Sequence, residues 1–211
     1  MSDVTRRDAL KAFAVVGMAN LLDLGAPQVE RTLRGMEALD QQGTPYTPKF
    51  FSRHEWRTVR MLADYVIPKD ERSGSATDAK VPEFMDFLMS DKDASESSRT
   101  AMRGGLAWLD GESRHRFGGS FIDATDTQRR AILDDIAWPK KAKPEVSHGV
   151  AFFNRFRDLT ASGFFSSAMG WRDVQYIGNT FNPGWNGCPQ PALDKLGVSY
   201  DLMNSRVNPN Q

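Results

Sequence analysis

The sequence predicts an all-α protein: a compact helical domain closed by an irregular C-terminal segment rich in glycine, proline and aromatic residues. Three observations carry that expectation. Apolar residues recur at three- and four-residue spacing from Val29 to Leu159, far more often than they alternate as strand residues would. Ser52 with Glu55, and Thr125 with Gln128, give two capping-box signatures, and Pro27 and Pro82 stand at first-turn positions. Finally, 211 residues with 40% hydrophobic content supply a real core, while a single cysteine rules out an internal disulfide or a cysteine zinc cluster.

Residues 1–26 read as a segment of their own. Thr5-Arg6-Arg7-Asp8-Ala9-Leu10-Lys11 precedes the apolar run Ala12 to Leu22, a basic region ahead of a hydrophobic one, as in an export signal. The pair Arg6 and Arg7 with its flanks resembles the twin-arginine signal, with Ala9 where that pattern usually carries an aromatic residue. The apolar run falls short of the roughly 20 residues a spanning helix needs, and Asp23 interrupts it, so no transmembrane segment is expected. The alternative is an amphipathic first helix capped by Thr5.

Residues 27–211 are expected to form one helical domain. A first helix from Pro27 to Gln42 sets Val29, Leu33, Met36 and Leu39 on one side, with Gly43 just past its end. Ser52 and Glu55 open the next, whose stripe is Trp56, Val59, Leu62 and Val66 and whose stop is Pro68. Lys69 to Lys80 is polar and reads as a surface loop. Pro82 then starts a helix with Phe84, Phe87 and Leu88 inward. From Ser98 a helix carries Met102, Leu106 and Leu109 and is expected to end at the turn signal Asp110-Gly111. Thr125 and Gln128 open the helix of Ile132, Leu133 and Ile136, with Pro139 beyond it. Lys140-Lys141-Ala142-Lys143 reads as a solvated linker. Ser147 is expected to cap a last long helix with Val150, Phe153, Phe156 and Leu159 on one face, ended by Gly163 in the left-handed conformation.

From Gly163 to Gly197 the chain mixes six glycines and three prolines with Phe164, Phe165, Trp171, Tyr176, Phe181 and Trp185, so only short helices fit, such as Pro191 to Leu196. No internal repeat is present. Rigid aromatics on loops suit an interface, and Phe164, Phe165, Trp171, Tyr176, Asn179, Trp185 and Asn186 are the candidate contacts for a partner. The competing reading is that these rings close the helical core.

Cofactor motifs are absent from the sequence: no dinucleotide glycine fingerprint, phosphate loop or covalent haem motif. No cofactor is therefore expected in this chain. His54, His115 and His148 lack metal-site spacing and read as surface or cap residues. Cys188 with His148 and Asp173 is the arrangement a nucleophilic triad would need, but Gly187 and Pro189 beside the thiol offer nothing to lower its pKa. Cys188 therefore reads first as an inert or partly buried thiol, and in an exported protein an intersubunit disulfide ranks ahead of catalysis. Asp134 and Asp135, adjacent on a helix, diverge into solvent. Balanced charge, 27 cations against 27 anions, gives no electrostatic reason to expect nucleic acid or an acidic membrane surface as partner.

Leu62-Ala63-Asp64-Tyr65-Val66-Ile67-Pro68, then Gly74 to Asp86, and later Gly163-Phe164-Phe165-Ser166-Ser167, Tyr176-Ile177-Gly178-Asn179 and Trp185-Asn186-Gly187-Cys188, resemble the gluconate 2-dehydrogenase subunit 3 family. The resemblance runs from about Phe50 to Gly197. It implies a small, non-catalytic subunit of a bacterial sugar dehydrogenase complex. Its partner would be a larger FAD-dependent subunit of the glucose-methanol-choline class, often with a cytochrome c as electron acceptor. It also implies a role in maturing that partner and carrying it through the twin-arginine route to the periplasm, and no catalytic residue in this chain. A free-standing helical enzyme using Cys188, and a secreted structural domain, are the alternatives.

Overall fold

A computed structural model describes residues 26–42, 45–176 and 187–200. Arg6 and Arg7, and likewise Asn179, Phe181, Trp185 and Asn186, lie outside the described residues. Among those described, the chain is all helix and turn, without a strand. It divides into two compact units between Tyr176 and Ile177. The first holds α1 (Ala26–Gln42), α2 (Arg53–Val66), α3 (Val81–Ser90), α4 (Glu96–Phe117), α5 (Asp126–Ala137), a 3-10 turn (Pro144–Val146), α6 (Ser147–Phe165) and α7 (Ala168–Asp173). The second holds α8 (Gln190–Leu196), which ends as expected at Gly197 with φ 64°.

Helix α6 is the hub, packed on α2, α3, α4, α5 and α7, while α1 lies on α3. Phe152, Phe153, Phe156, Leu159 and Phe164 of α6 enter the core, each contributing about 1.5–3 kcal/mol by leaving water. Helix α3 is apolar nearly all round, and eight of its ten residues are buried, because it is sandwiched between α1 and α6. Both capping boxes form: Ser52 and Thr125 accept from the backbone N–H groups of Glu55 and Gln128, whose side chains accept in return. Helix α1 is fixed to the end of α3 by polar bonds. Arg31 grips both oxygens of Asp91 at 2.7 Å, holding that carboxyl below its ordinary value, and Gln28 Nε2 donates to the Leu88 carbonyl at 3.0 Å.

Four expectations fail, three because of partners on other elements and one because of the turn just before it. Helix α4 runs through Asp110-Gly111 to Phe117 and ends at Gly118 with φ 80°. Asp110 is held inside the helix by its partners, accepting from the Phe121 N–H at 3.0 Å and meeting His54 Nε2 at 2.6 Å. Helix α6 likewise passes through Gly163 and ends after Phe165; that glycine serves contact, since a Cβ there would lie 2.8 Å from Phe84 Cδ1. Ser147 makes no cap, because the 3-10 turn leads straight into α6 with Val146 at the N-cap position. Lys69 to Lys80 is a loop that is exposed from Lys69 to Arg72 but is tied into the fold beyond it. Ser75 and Ala76 are buried, the Ala76 N–H donates to the Ile67 carbonyl at 2.9 Å, and the Thr77 N–H donates to Asp64 Oδ1 at 2.8 Å.

Candidate functional site

The sequence pattern at the end of α6 places two phenylalanines side by side, and the local fold separates them. Ser167 makes the turn: its hydroxyl donates to the Phe164 carbonyl at 2.6 Å and accepts from the Gly170 N–H at 3.1 Å, starting α7. Gly170 then rests on the Phe164 carbonyl so closely that a Cβ would overlap it. This fold-back seals Phe164 in the core at 1% exposure and leaves Phe165 outward at 43%, the two rings 88° apart. Phe164 is therefore a core residue, not part of an exposed face. Trp171 is half-buried and packs edge-on against Tyr176, 5.9 Å between centroids. Val174 at 54% and Tyr176 at 47% exposure are, like Phe165, outward apolar side chains of this C-terminal stretch.

The segment from Asp70 to Gly74 braces this face, a role the sequence pattern did not reveal. Asp70 Oδ1 accepts from the Arg72 and Ser73 N–H groups, both at 2.8 Å, and those two bonds hold its carboxyl below the ordinary value. Arg72 donates to the Asp173 carbonyl at the end of α7, with Nε 3.6 Å from Asp173 Oδ1. Beside it, Ser75 and Asp78 bond each other reciprocally, the Ser75 N–H to Asp78 Oδ2 at 3.0 Å and the Asp78 N–H to Ser75 Oγ at 3.3 Å. The polar residues of Gly74 to Asp78 thus serve the fold of the loop.

The other candidate residues are dispersed. Cys188 is a free, exposed thiol in the second unit, its N–H donating to the Tyr200 hydroxyl at 2.6 Å, so it is open to a partner's cysteine. Asp173 is already engaged by Arg72. His148 sits at the rim of a groove of about 430 Å³ between α4 and α6, floored by Trp108, Phe152 and Phe156. His54 pairs with Asp110, and His115 is exposed. Among the described residues, no three His, Cys, Asp or Glu side chains gather as a metal site would require, and no helix is long and apolar enough to cross a membrane.

Searches of curated proteins and of solved structures returned no match. A family model does match, over residues 53–184, from the first turn of α2 past the braced face of α7. That span is more than half of the chain, and on it the chain belongs to the gluconate 2-dehydrogenase subunit 3 family.

Proposed function

We propose that this chain is the non-catalytic small subunit of a flavin-dependent sugar or polyol dehydrogenase, which it stabilises and escorts to the periplasm. The observation that carries the reading is the family match over residues 53–184, since the family is named for a subunit of a larger dehydrogenase. Its partner is a larger FAD-containing subunit of the glucose-methanol-choline class, and a cytochrome c receives the electrons. The exposure of Phe165, Val174 and Tyr176 supports a docking role, because rigid apolar side chains bury area at little entropic cost. Binding the folded partner stabilises both chains by mass action. Arg6 and Arg7 supply the export address.

The test is a pull-down of the C-terminally tagged chain from its own host, with an absorbance spectrum and identification of what accompanies it. A yellow complex containing a larger flavoprotein is the expected result; a colourless chain recovered alone rejects the role. Phe165→Glu with Tyr176→Glu should lower recovery of the flavoprotein roughly thirtyfold, the effect of losing a hot spot of about 2 kcal/mol. Replacing Arg6 and Arg7 by Lys should leave the dehydrogenase in the cytoplasm, and undiminished periplasmic activity would refute the export role.

A further inference from the structure

The most exposed aromatic ring among the described residues lies away from α7. Trp138, which caps the end of α5, is 62% exposed. Its backbone is firmly held: its carbonyl accepts from the Lys141 N–H at 2.8 Å and the Ala142 N–H at 3.0 Å. Ala142 packs on the core, and Pro139 and Pro144 stiffen either side. The ring is thus held outward by an ordered turn. Lys140, Lys141 and Lys143 of the same turn are all exposed, with Lys141 Nζ 6.0 Å from the ring centroid. Among the described residues these three make no ion pair. Glu145 is the only acidic residue from Trp138 to Val146, and the nearby Asp135 is bound by Arg116 at 2.6 Å.

A solvated linker accounts for the lysines and leaves the tryptophan unexplained. A protein interface accounts for the tryptophan, yet such interfaces are depleted in lysine and ring their anchors with residues that exclude water. Tryptophan beside lysines fits the headgroup layer of a bilayer, where an amphipathic ring and flexible ammonium groups are both favoured. The chain's zero formal net charge makes this a local feature, with no broad basic field of the kind that nucleic acid attracts.

We propose that the turn from Trp138 to Lys143 is a reversible contact for an anionic lipid surface. It is independent of the flavoprotein-binding face. Each lysine near such a surface multiplies affinity roughly fivefold, so the three together give about a hundredfold, weakened by salt.

The experiment sediments the full chain with vesicles of equal parts phosphatidylglycerol and phosphatidylcholine, and with phosphatidylcholine alone. The wild-type chain should sediment with the anionic vesicles only and be released by salt. The triple variant Lys140→Gln, Lys141→Gln, Lys143→Gln should bind about a hundredfold more weakly, and Trp138→Ala should also lose binding, with unchanged circular dichroism in both. Equal sedimentation of the variants would assign lipid binding to another segment and overturn the proposal. So would equal binding to both vesicle types. Absence of vesicle binding, with the triple variant capturing less flavoprotein, would make the turn a contact for an acidic protein surface instead.

Discussion

Asp86 shows how much of this fold hangs on single side chains. It lies at 0% exposure on α3, and its two oxygens accept from the Tyr46 hydroxyl at 2.6 Å and from the N–H groups of Lys49, Phe50 and Phe51 at 2.8, 3.0 and 3.1 Å. All four partners are donors, so the carboxylate is matched to them as an acceptor and an amide is not. Asp86→Asn keeps the shape but turns an NH₂ toward donors, and should cost about 2–3 kcal/mol, read as a lowered urea midpoint. Burial and the bond to Asp86 also push the Tyr46 phenol well above its ordinary value. One turn earlier, Glu83 is 7% exposed with Oε2 unpartnered and Oε1 3.5 Å from Arg60. Burial pushes its carboxyl above the ordinary 4.5, with Arg60 opposing. The folded chain then holds this proton more tightly than the unfolded one, so the stability Glu83 contributes is full below 4.5 and lost as pH rises through the folded value. Glu83→Gln cannot ionise and should gain on the wild type in urea midpoint from mildly acidic to neutral pH; a constant separation would show that Glu83 does not titrate in this range.

Helices α4 and α6 meet through reciprocal pairs in which one helix lacks a Cβ and the other supplies a ring. A Cβ on Gly105 of α4 would overlap the Phe152 ring of α6, and one on Gly149 of α6 would overlap Trp108 of α4. Gly104, one residue earlier, faces open space. The neighbours should therefore respond oppositely to the same change. Gly104→Ala should stabilise by about 0.5–1 kcal/mol through helix propensity, whereas Gly105→Ala should destabilise by about 1–3 kcal/mol through overpacking, both measured by thermal melting. The helices themselves were legible because their signals are local: Ser52, Thr125 and Pro82 act within one turn of where they stand. Asp110-Gly111, Gly163 and the run from Lys69 to Lys80 mislead a local reading because their partners, Phe121, Phe84 and Asp64, come from other parts of the chain. The aromatic face was legible in composition but not in direction. Adjacent Phe164 and Phe165 carry the same pattern signal, and only the fold-back of α7 through Ser167 decides which one is buried.

At the scale of the whole chain, the division after Tyr176 separates two explanations of the C-terminal aromatics. Among the described residues, every member of the buried core cluster lies between Val29 and Phe164, and the partly buried residues packed against it reach no further than Met169. A chain ended after Tyr176 keeps all of these, along with the Arg72 brace on Asp173 that holds the end of α7. Its thermal transition should therefore match that of the full chain, while its helical circular dichroism falls through the loss of α8. If the aromatics beyond Tyr176 instead closed the core, removing them would expose it, and the shortened chain would melt several degrees lower, a shift of about 4 °C or less per kcal/mol for a domain of this size. The same chain separates the functional readings. It retains Phe165, Val174 and Tyr176 but lacks Asn179, Trp185, Asn186 and Cys188, so unchanged stability with weakened capture of the flavoprotein would place the missing residues in the contact. Unchanged stability with unchanged capture would confine the docking face to α6 and α7.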